Sequence, residues 1–369
     1  MWKLFQPVEV IFGNKELNNL RLYLEQKGLN KALLITDPIV SQLGIAKRVK
    51  EMSGGKILDI VTDVEPNPTI HNVNHCVTKA KEIGAECIVV IGGGSAIDCA
   101  KAVCAAVFNC YSGEDLMAGK PIKGALPLIA IPTTAGTGSE VTAVSVLSWK
   151  EEGKKIALAN PSLFPTLAIV DPELTYTCPP LVTAISGIDV IAHALDSLGS
   201  VKSNAVTESL AVKATRLAFE NLERAVEVGT DVHAREQMAL ASLLAGLAFS
   251  QTGTTGSHAC SYILTSKYNI PHGEACAFTL DSWFKVNAQV NPKLDVFAEE
   301  IGFDGADTLA DELNQLKTRI GLRGTLEEIG INEGQLDDVV KACLAASNMP
   351  NNIAQIGFEG VKEIFLSKK

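Results

Sequence analysis

Two hydrophobic patterns divide the chain. Up to about Pro180, residues 31–36 (KALLIT), 86–91 (ECIVVI), 128–132 (LIAIP) and 166–170 (TLAIV) are near-continuous apolar runs, the pattern of parallel strands buried on both faces. Helical periods at 45–52, 72–83 and 95–108 supply the crossovers that such strands require. Beyond the pair Pro179-Pro180 the pattern changes to helical periods rich in Ala and Leu at 181–198, 204–226, 235–249, 295–302, 305–320 and 330–344, with no strand signal. A chain of 369 residues exceeds what one core usually serves. The expectation is an open α/β domain over residues 1–180 and an all-helical domain over 181–369.

Three loops at strand ends carry candidate chemistry. Residues 91–101 read IGGGSAIDCAK: glycines let backbone N–H groups approach a pyrophosphate, and the helix start adds partial positive charge. An ordinary tight turn would look the same from this element alone. Asp37 follows the first strand, where a carboxylate accepts from a ribose 2′-OH and repels a 2′-phosphate, favouring NAD over NADP; it is equally a turn former ahead of Pro38. Residues 132–142 (PTTAGTGSEVT) crowd hydroxyls and glycines at a strand's carboxyl end, where open sheets bind ligands.

The helical half carries a different set. Asp189 and His193 are four apart in SGIDVIAHALDSL, so they emerge on one face. That spacing suits a structural hydrogen bond as well as a shared ion. His258 in GTTGSHAC and His272 in YNIPHGEACA sit in small-residue and Pro/Gly settings, and they belong to a chain with six histidines in all. One carboxylate with three imidazoles makes a net +1 site around a divalent ion, suited to Fe(II), Zn(II), Co(II) or Mn(II) and lacking the thiolates of a Cys-rich zinc site. His71, His75 and His233 read as surface or capping residues.

Composition narrows the classes. A formal charge of −10 with no basic run argues against nucleic acid. The first residues lack the apolar core of a signal peptide, and no apolar stretch is read as membrane-spanning, so a cytoplasmic protein is expected. Nine cysteines at no CxxC spacing read as buried free thiols.

The ordered motifs FQPVEVIFG, ITDP, EPNPT, GGGSAIDCAK, PTTAGTGSEVT, NPSLFPTLAIVDPEL, PPLVTAISGIDVIAHALDS, HAREQMALASLLAGLAF, IPHGEACA and GLRGTLEEIGI resemble, over nearly the whole chain, the iron-containing (group III) alcohol dehydrogenases of the dehydroquinate synthase-like superfamily. The resemblance implies an α/β N-terminal dinucleotide-binding domain and an all-α C-terminal metal-binding domain. It implies metal ligands at Asp189, His193, His258 and His272, with Fe(II) first and Zn(II) second. It also implies NAD(H) contacts at Asp37, Asn67, Gly93, Gly94, Ser95, Thr133, Thr134, Thr137 and Lys155, the last of which reads on its own as solvated charge. The chain departs from the family pattern in two places. Tyr262 stands where a second histidine is common four residues after His258; Tyr262, the cofactor ribose or water is expected to carry the proton. Residues 348–352 (NMPNN) only partly echo an Asn-Pro-Arg segment and lack its Arg.

The implied activity is hydride transfer between NAD(H) and a short-chain aldehyde or alcohol, with the ion acting as Lewis acid. The stretch SHACSYILTSKYNIPHG resembles reductases of sulfoacetaldehyde and phosphonoacetaldehyde, with Ser257, Ser261, Tyr262, Thr265 and Lys267 as donors to an anionic head. The alternatives are an uncharged alcohol such as butanol or 1,2-propanediol, or a glycerol dehydrogenase-like enzyme, which would use one Asp and two His without His193. A homo-oligomer, a dimer, is expected, with 8–12 as the segment for strand pairing between subunits.

Overall fold

The computed structural model describes residues 1–149 and 154–369, which form two compact units. The α/β unit comprises Gln6–Thr134 and Ser139–Thr175; the helical unit comprises Tyr176–Lys369 together with Met1–Phe5 and Ala135–Gly138.

In the α/β unit the strands are β1 (Glu9–Phe12), β2 (Ala32–Ile35), β3 (Ile57–Val61), β4 (Cys87–Gly92), β5 (Leu128–Pro132), β6 (Val144–Trp149), β7 (Lys154–Ala159) and β8 (Leu167–Val170). Six of them make one sheet in the order β1-β8-β5-β4-β2-β3, and β6 and β7 pair as a separate two-stranded ribbon. Every pairing in the large sheet is parallel. Alternate residues of the central strands feed two cores. Leu33, Ile35, Ile88 and Val90 face one, and Leu34, Val89, Ile91 and Ile131 face the other, so the central strands read as unbroken apolar runs.

The helices of this unit are α1 (Leu20–Gln26), α2 (Pro38–Gln42), α3 (Ile45–Met52), α4 (Ile70–Glu82), α5 (Gly94–Asn109) and α6 (Gly113–Met117). α5 is tied to the chain after β5 by a fully buried Lys101, whose Nζ donates to Ser139 Oγ (2.9 Å), Thr142 Oγ1 (2.9 Å) and the Val144 carbonyl (2.8 Å).

The helical unit holds α7 (Pro180–Leu198), α8 (Ala205–Glu227), α9 (Val232–Thr252), α10 (Gly256–Tyr268), α11 (His272–Val290), α12 (Lys293–Ile301), α13 (Ala306–Arg319), α14 (Leu336–Leu344) and α15 (Phe358–Leu366). Among its described residues there is no strand, only an isolated bridge between Ser200 and Asn352. By length and composition alone α7 is apolar enough to span a membrane. Its most apolar window is 78% buried inside the protein and its polar face carries Asp189, His193 and Asp196, which is the make-up of a core helix.

Candidate metal and nucleotide sites

Positions 189, 193 and 196 fall on one face of α7, at helical steps of four and three. Asp196 is the organiser that sequence reasoning missed. Its Oδ2 accepts from the backbone N–H of Thr255 (2.7 Å) and from His258 Nδ1 (2.8 Å), and its Oδ1 accepts from Ser257 Oγ (2.7 Å). One buried carboxylate thus anchors the start of α10 and sets the tautomer of His258. With Nδ1 donating, the lone pair resides on Nε2.

That Nε2 lies 3.8 Å from Asp189 Oδ1, and among the described residues neither atom has a hydrogen-bond partner although both are buried. An unpaired buried donor or acceptor costs about 1–3 kcal/mol, and a charged one more. A divalent cation between them removes that cost, so the residues fit the ion that the sequence implies.

His272 opens α11, with its ring centroid 5.6 Å from that of His258. The next residue makes this approach feasible. A Cβ on Gly273 would lie 2.0 Å from the Ile185 carbonyl oxygen and 2.9 Å from Asp189 Cβ, so only glycine lets α11 close on α7.

The donor atoms brought together, all within 4.8 Å of one another, are those of Asp189, His258, His272 and Cys276. Cys276 is a donor that the ligand set expected from the sequence does not include. It lies one turn after His272, inside an apolar run that reads as core. His193 is adjacent but outside that group. Its Nδ1 is 3.3 Å from the Gly136 carbonyl and 3.9 Å from Asp189 Oδ2, and its ring stacks on Phe249 (4.1 Å) and His258 (4.7 Å).

Burial and mutual interaction shift the ionisable groups of this cluster. Burial pushes the Asp189 carboxyl up to about 7, against the opposing pull of His258. Burial also works against a proton on His258, yet Cys276 and Asp196 hold that imidazole well above its ordinary value. Asp196 would be raised by burial, but His258 and its hydrogen bonds keep it below the usual carboxylate range. His193 is held well below its ordinary value by burial and by His258 and His272.

Two of the five residues expected to meet an anionic substrate are otherwise engaged. Ser257 donates to Asp196, and Ser261 Oγ donates to the His258 carbonyl (2.8 Å). Tyr262 and Thr265 follow His258 by four and seven residues on α10. Tyr262 is exposed at 44%, and Thr265 Oγ1 is buried without a partner among the described residues. Lys267 sits over the ring of Tyr268, 5.4 Å from its centroid. The NMPNN segment braces the turn into α10: Asn348 Nδ2 donates to Thr254 Oγ1 (3.1 Å), and Asn351 Nδ2 to the Thr252 and Thr254 carbonyls (2.8 and 3.0 Å). His71 and His233 are exposed, and His75 pairs with Asp63 (3.0 Å).

In the α/β unit, β4 runs through Gly92 and Gly93 into α5. A Cβ on Gly92 would lie 2.7 Å from Ala96 Cβ and 3.1 Å from Asp37 Oδ2, so this turn brings its backbone against α5 and Asp37. Asp37 Oδ1 caps α2, accepting from the N–H groups of Ile39 and Val40 (both 2.9 Å); the turn-forming role is therefore real, and Oδ2 is turned towards the glycine loop. Asn67, Ser95 and Lys155 converge as well. Ser95 Oγ accepts from the Asn67 N–H (3.2 Å), and Lys155 Nζ donates to Asn67 Oδ1 (2.9 Å). Thr134 packs against Gly93, its Oγ1 3.4 Å from where a Cβ would stand, and Thr133 is buried beside it in sequence. Thr137, by contrast, belongs to the segment Ala135–Gly138 of the helical unit.

Comparison with known proteins agrees with this division. Residues 7–172 match the family model described as iron-containing alcohol dehydrogenase, and residues 183–368 match that of the C-terminal part of the Fe-containing alcohol dehydrogenase family. Alcohol dehydrogenase 4 of Schizosaccharomyces pombe is 33% identical, covering 97% of this chain and 86% of its own. Sulfoacetaldehyde reductase of Bilophila wadsworthia is 31% identical, covering 88% and 87%. The crystal structure of sulfoacetaldehyde reductase from Bifidobacterium kashiwanohense in complex with NAD+ matches with a TM-score of 0.96 and 38% identity, over 100% of this chain and 98% of that one.

Proposed function

Because the chain belongs to the iron-containing alcohol dehydrogenase family, we propose that it transfers hydride between NAD(H) and a short-chain aldehyde or alcohol at a divalent metal centre. The observation that carries this reading is the pair of buried, unpartnered atoms, Asp189 Oδ1 and His258 Nε2, facing each other beside His272. Asp189, His258 and His272 hold the ion, Fe(II) or Zn(II), and His193 is the fourth ligand by sequence pattern. The ion supplies Lewis-acid polarisation of the substrate oxygen, and NAD(H) exchanges the hydride.

The chain's own residues do the rest. Asp196 orients His258, Gly93, Gly94 and Ser95 receive the pyrophosphate at the start of α5, and Asp37 with Asn67 and Lys155 engages the nucleotide. Tyr262, exposed and one turn from His258, relays the proton. An NAD-bound relative supports the choice of NAD. Nine free thiols support work in a reducing, cytoplasmic setting, and β1 at the edge of the sheet offers a surface for a homodimer.

For substrate, we favour an aldehyde with an anionic head, supported by two sulfoacetaldehyde reductase relatives; Tyr262, Thr265 and Lys267 are the remaining donors. The relative named alcohol dehydrogenase 4 keeps uncharged alcohols as the second reading. Steady-state rates with sulfoacetaldehyde, phosphonoacetaldehyde, butanal and lactaldehyde decide the matter. The expected order puts an anionic aldehyde first, and a clear preference for butanal or lactaldehyde rejects it.

A further inference from the structure

We propose that the thiolate of Cys276 is a ligand of the metal ion. The inference rests on the metal-centre reading above and puts Cys276, with Asp189, His258 and His272, in the place that the sequence pattern gives to His193, which lies outside that donor group.

Cys276 is fully buried and lies one helical turn after His272 on α11, so its side chain returns to the same face. Its Sγ is 3.7 Å from His272 Nε2 and 3.8 Å from His272 Nδ1. In a tetrahedral site with metal–sulfur bonds of about 2.3 Å and metal–nitrogen bonds of about 2.0–2.1 Å, neighbouring ligand atoms stand about 3.4–3.6 Å apart. The Cys276–His272 separation and the 3.8 Å between Asp189 Oδ1 and His258 Nε2 are each within a few tenths of an ångström of that edge. The four donor groups fall within 4.8 Å of one another, and the two unpartnered buried atoms, Asp189 Oδ1 and His258 Nε2, mark the space that they surround. An inert core cysteine would have apolar neighbours on this side; Cys276 has a carboxylate and two imidazoles.

The chemical consequence is a change of charge and softness. One carboxylate and one thiolate around a divalent ion leave no net charge, where one carboxylate and three imidazoles leave +1. A thiolate also biases the site towards softer ions, Zn(II) over Mn(II). On binding, the S–H bond breaks, the sulfur lone pair goes to the metal and the proton leaves to solvent.

The test is spectroscopic and uses the full-length protein, stripped by chelation and titrated with Co(II). The expected result is the visible d–d absorption of a low-coordinate Co(II) together with a near-ultraviolet sulfur-to-cobalt charge-transfer band. Cys276→Ser and Cys276→Ala should keep the d–d absorption and lose the charge-transfer band. Asp189→Ala should lose both, which assigns the bands to this site and not to another cysteine. If wild-type protein shows d–d absorption without the charge-transfer band, or if that band survives in both Cys276 variants, the thiolate proposal is overturned and the metal centre stands. If wild-type protein gives no Co(II) spectrum that depends on Asp189, the metal-centre reading falls and takes the proposal with it.

Discussion

At the residue scale the helical unit turns on Asp196. A carboxylate accepting three hydrogen bonds, from the Thr255 N–H, Ser257 Oγ and His258 Nδ1, does what a metal-binding histidine needs from its surroundings: it fixes the ring and keeps the lone pair on Nε2. Asn at this position has the same shape, but its amide N–H₂ faces donors. We therefore expect Asp196→Asn to weaken Zn(II) or Co(II) affinity on the order of ten- to a hundredfold, measured by competition with a chromophoric chelator, with the far-ultraviolet circular dichroism unchanged. An unaltered affinity would show that His258 needs no such support. Asp196 escaped sequence reasoning because an Asp near a helix end reads as a surface or capping residue; only the fold reveals that positions 189, 193 and 196 share a buried face. Cys276 escaped for a parallel reason, since a cysteine within an apolar helical run resembles packing.

At the element scale the site exists because three helices approach closely at their ends. α7 supplies Asp189 from its middle and Asp196 from its last turn, while α10 and α11 bring His258 and His272 within their first few residues, after the Gly/Thr and Pro-containing turns that precede them. The approach of α11 depends on Gly273, where a Cβ would meet the Ile185 backbone carbonyl at 2.0 Å. Backbone cannot swing aside as a flexible side chain can. Gly273→Ala is accordingly expected to cost about 1–3 kcal/mol of stability and to lower metal occupancy, read by chemical denaturation and elemental analysis of the same preparation. A variant with wild-type stability and occupancy would mean that α11 does not need this contact. The elements themselves differed in how readily they could be read. β2, β4, β5 and β8 were legible as unbroken apolar runs because both their faces are covered. β3 (ILDIV) was not, since it lies at the sheet edge with an exposed Leu58, and the β6–β7 ribbon was hidden by serines and lysines. α10 and α11 were also missed as helices, because the glycines, serines and threonines that position their histidines blur the apolar period.

At the scale of the whole molecule, the division into an α/β and a helical half was legible from the change of period near Pro180. The details were not. The helical unit begins at Tyr176 and also takes in Met1–Phe5 and Ala135–Gly138, segments too short to show a period. Asn67 and Lys155, brought into view only by family resemblance, are hydrogen-bonded to each other, and Asn67 also to Ser95 of the glycine run, far from both in the chain. Of the residues expected at the metal, Asp189, His258 and His272 assemble into one donor group, while His193 packs against it. The central claim is that this group holds a metal ion, and anomalous diffraction from crystals of Zn(II)-loaded protein tests it most directly. The account predicts a single strong peak per chain bounded by Asp189 Oδ1, His258 Nε2 and His272; strong peaks elsewhere with none at this group would contradict it.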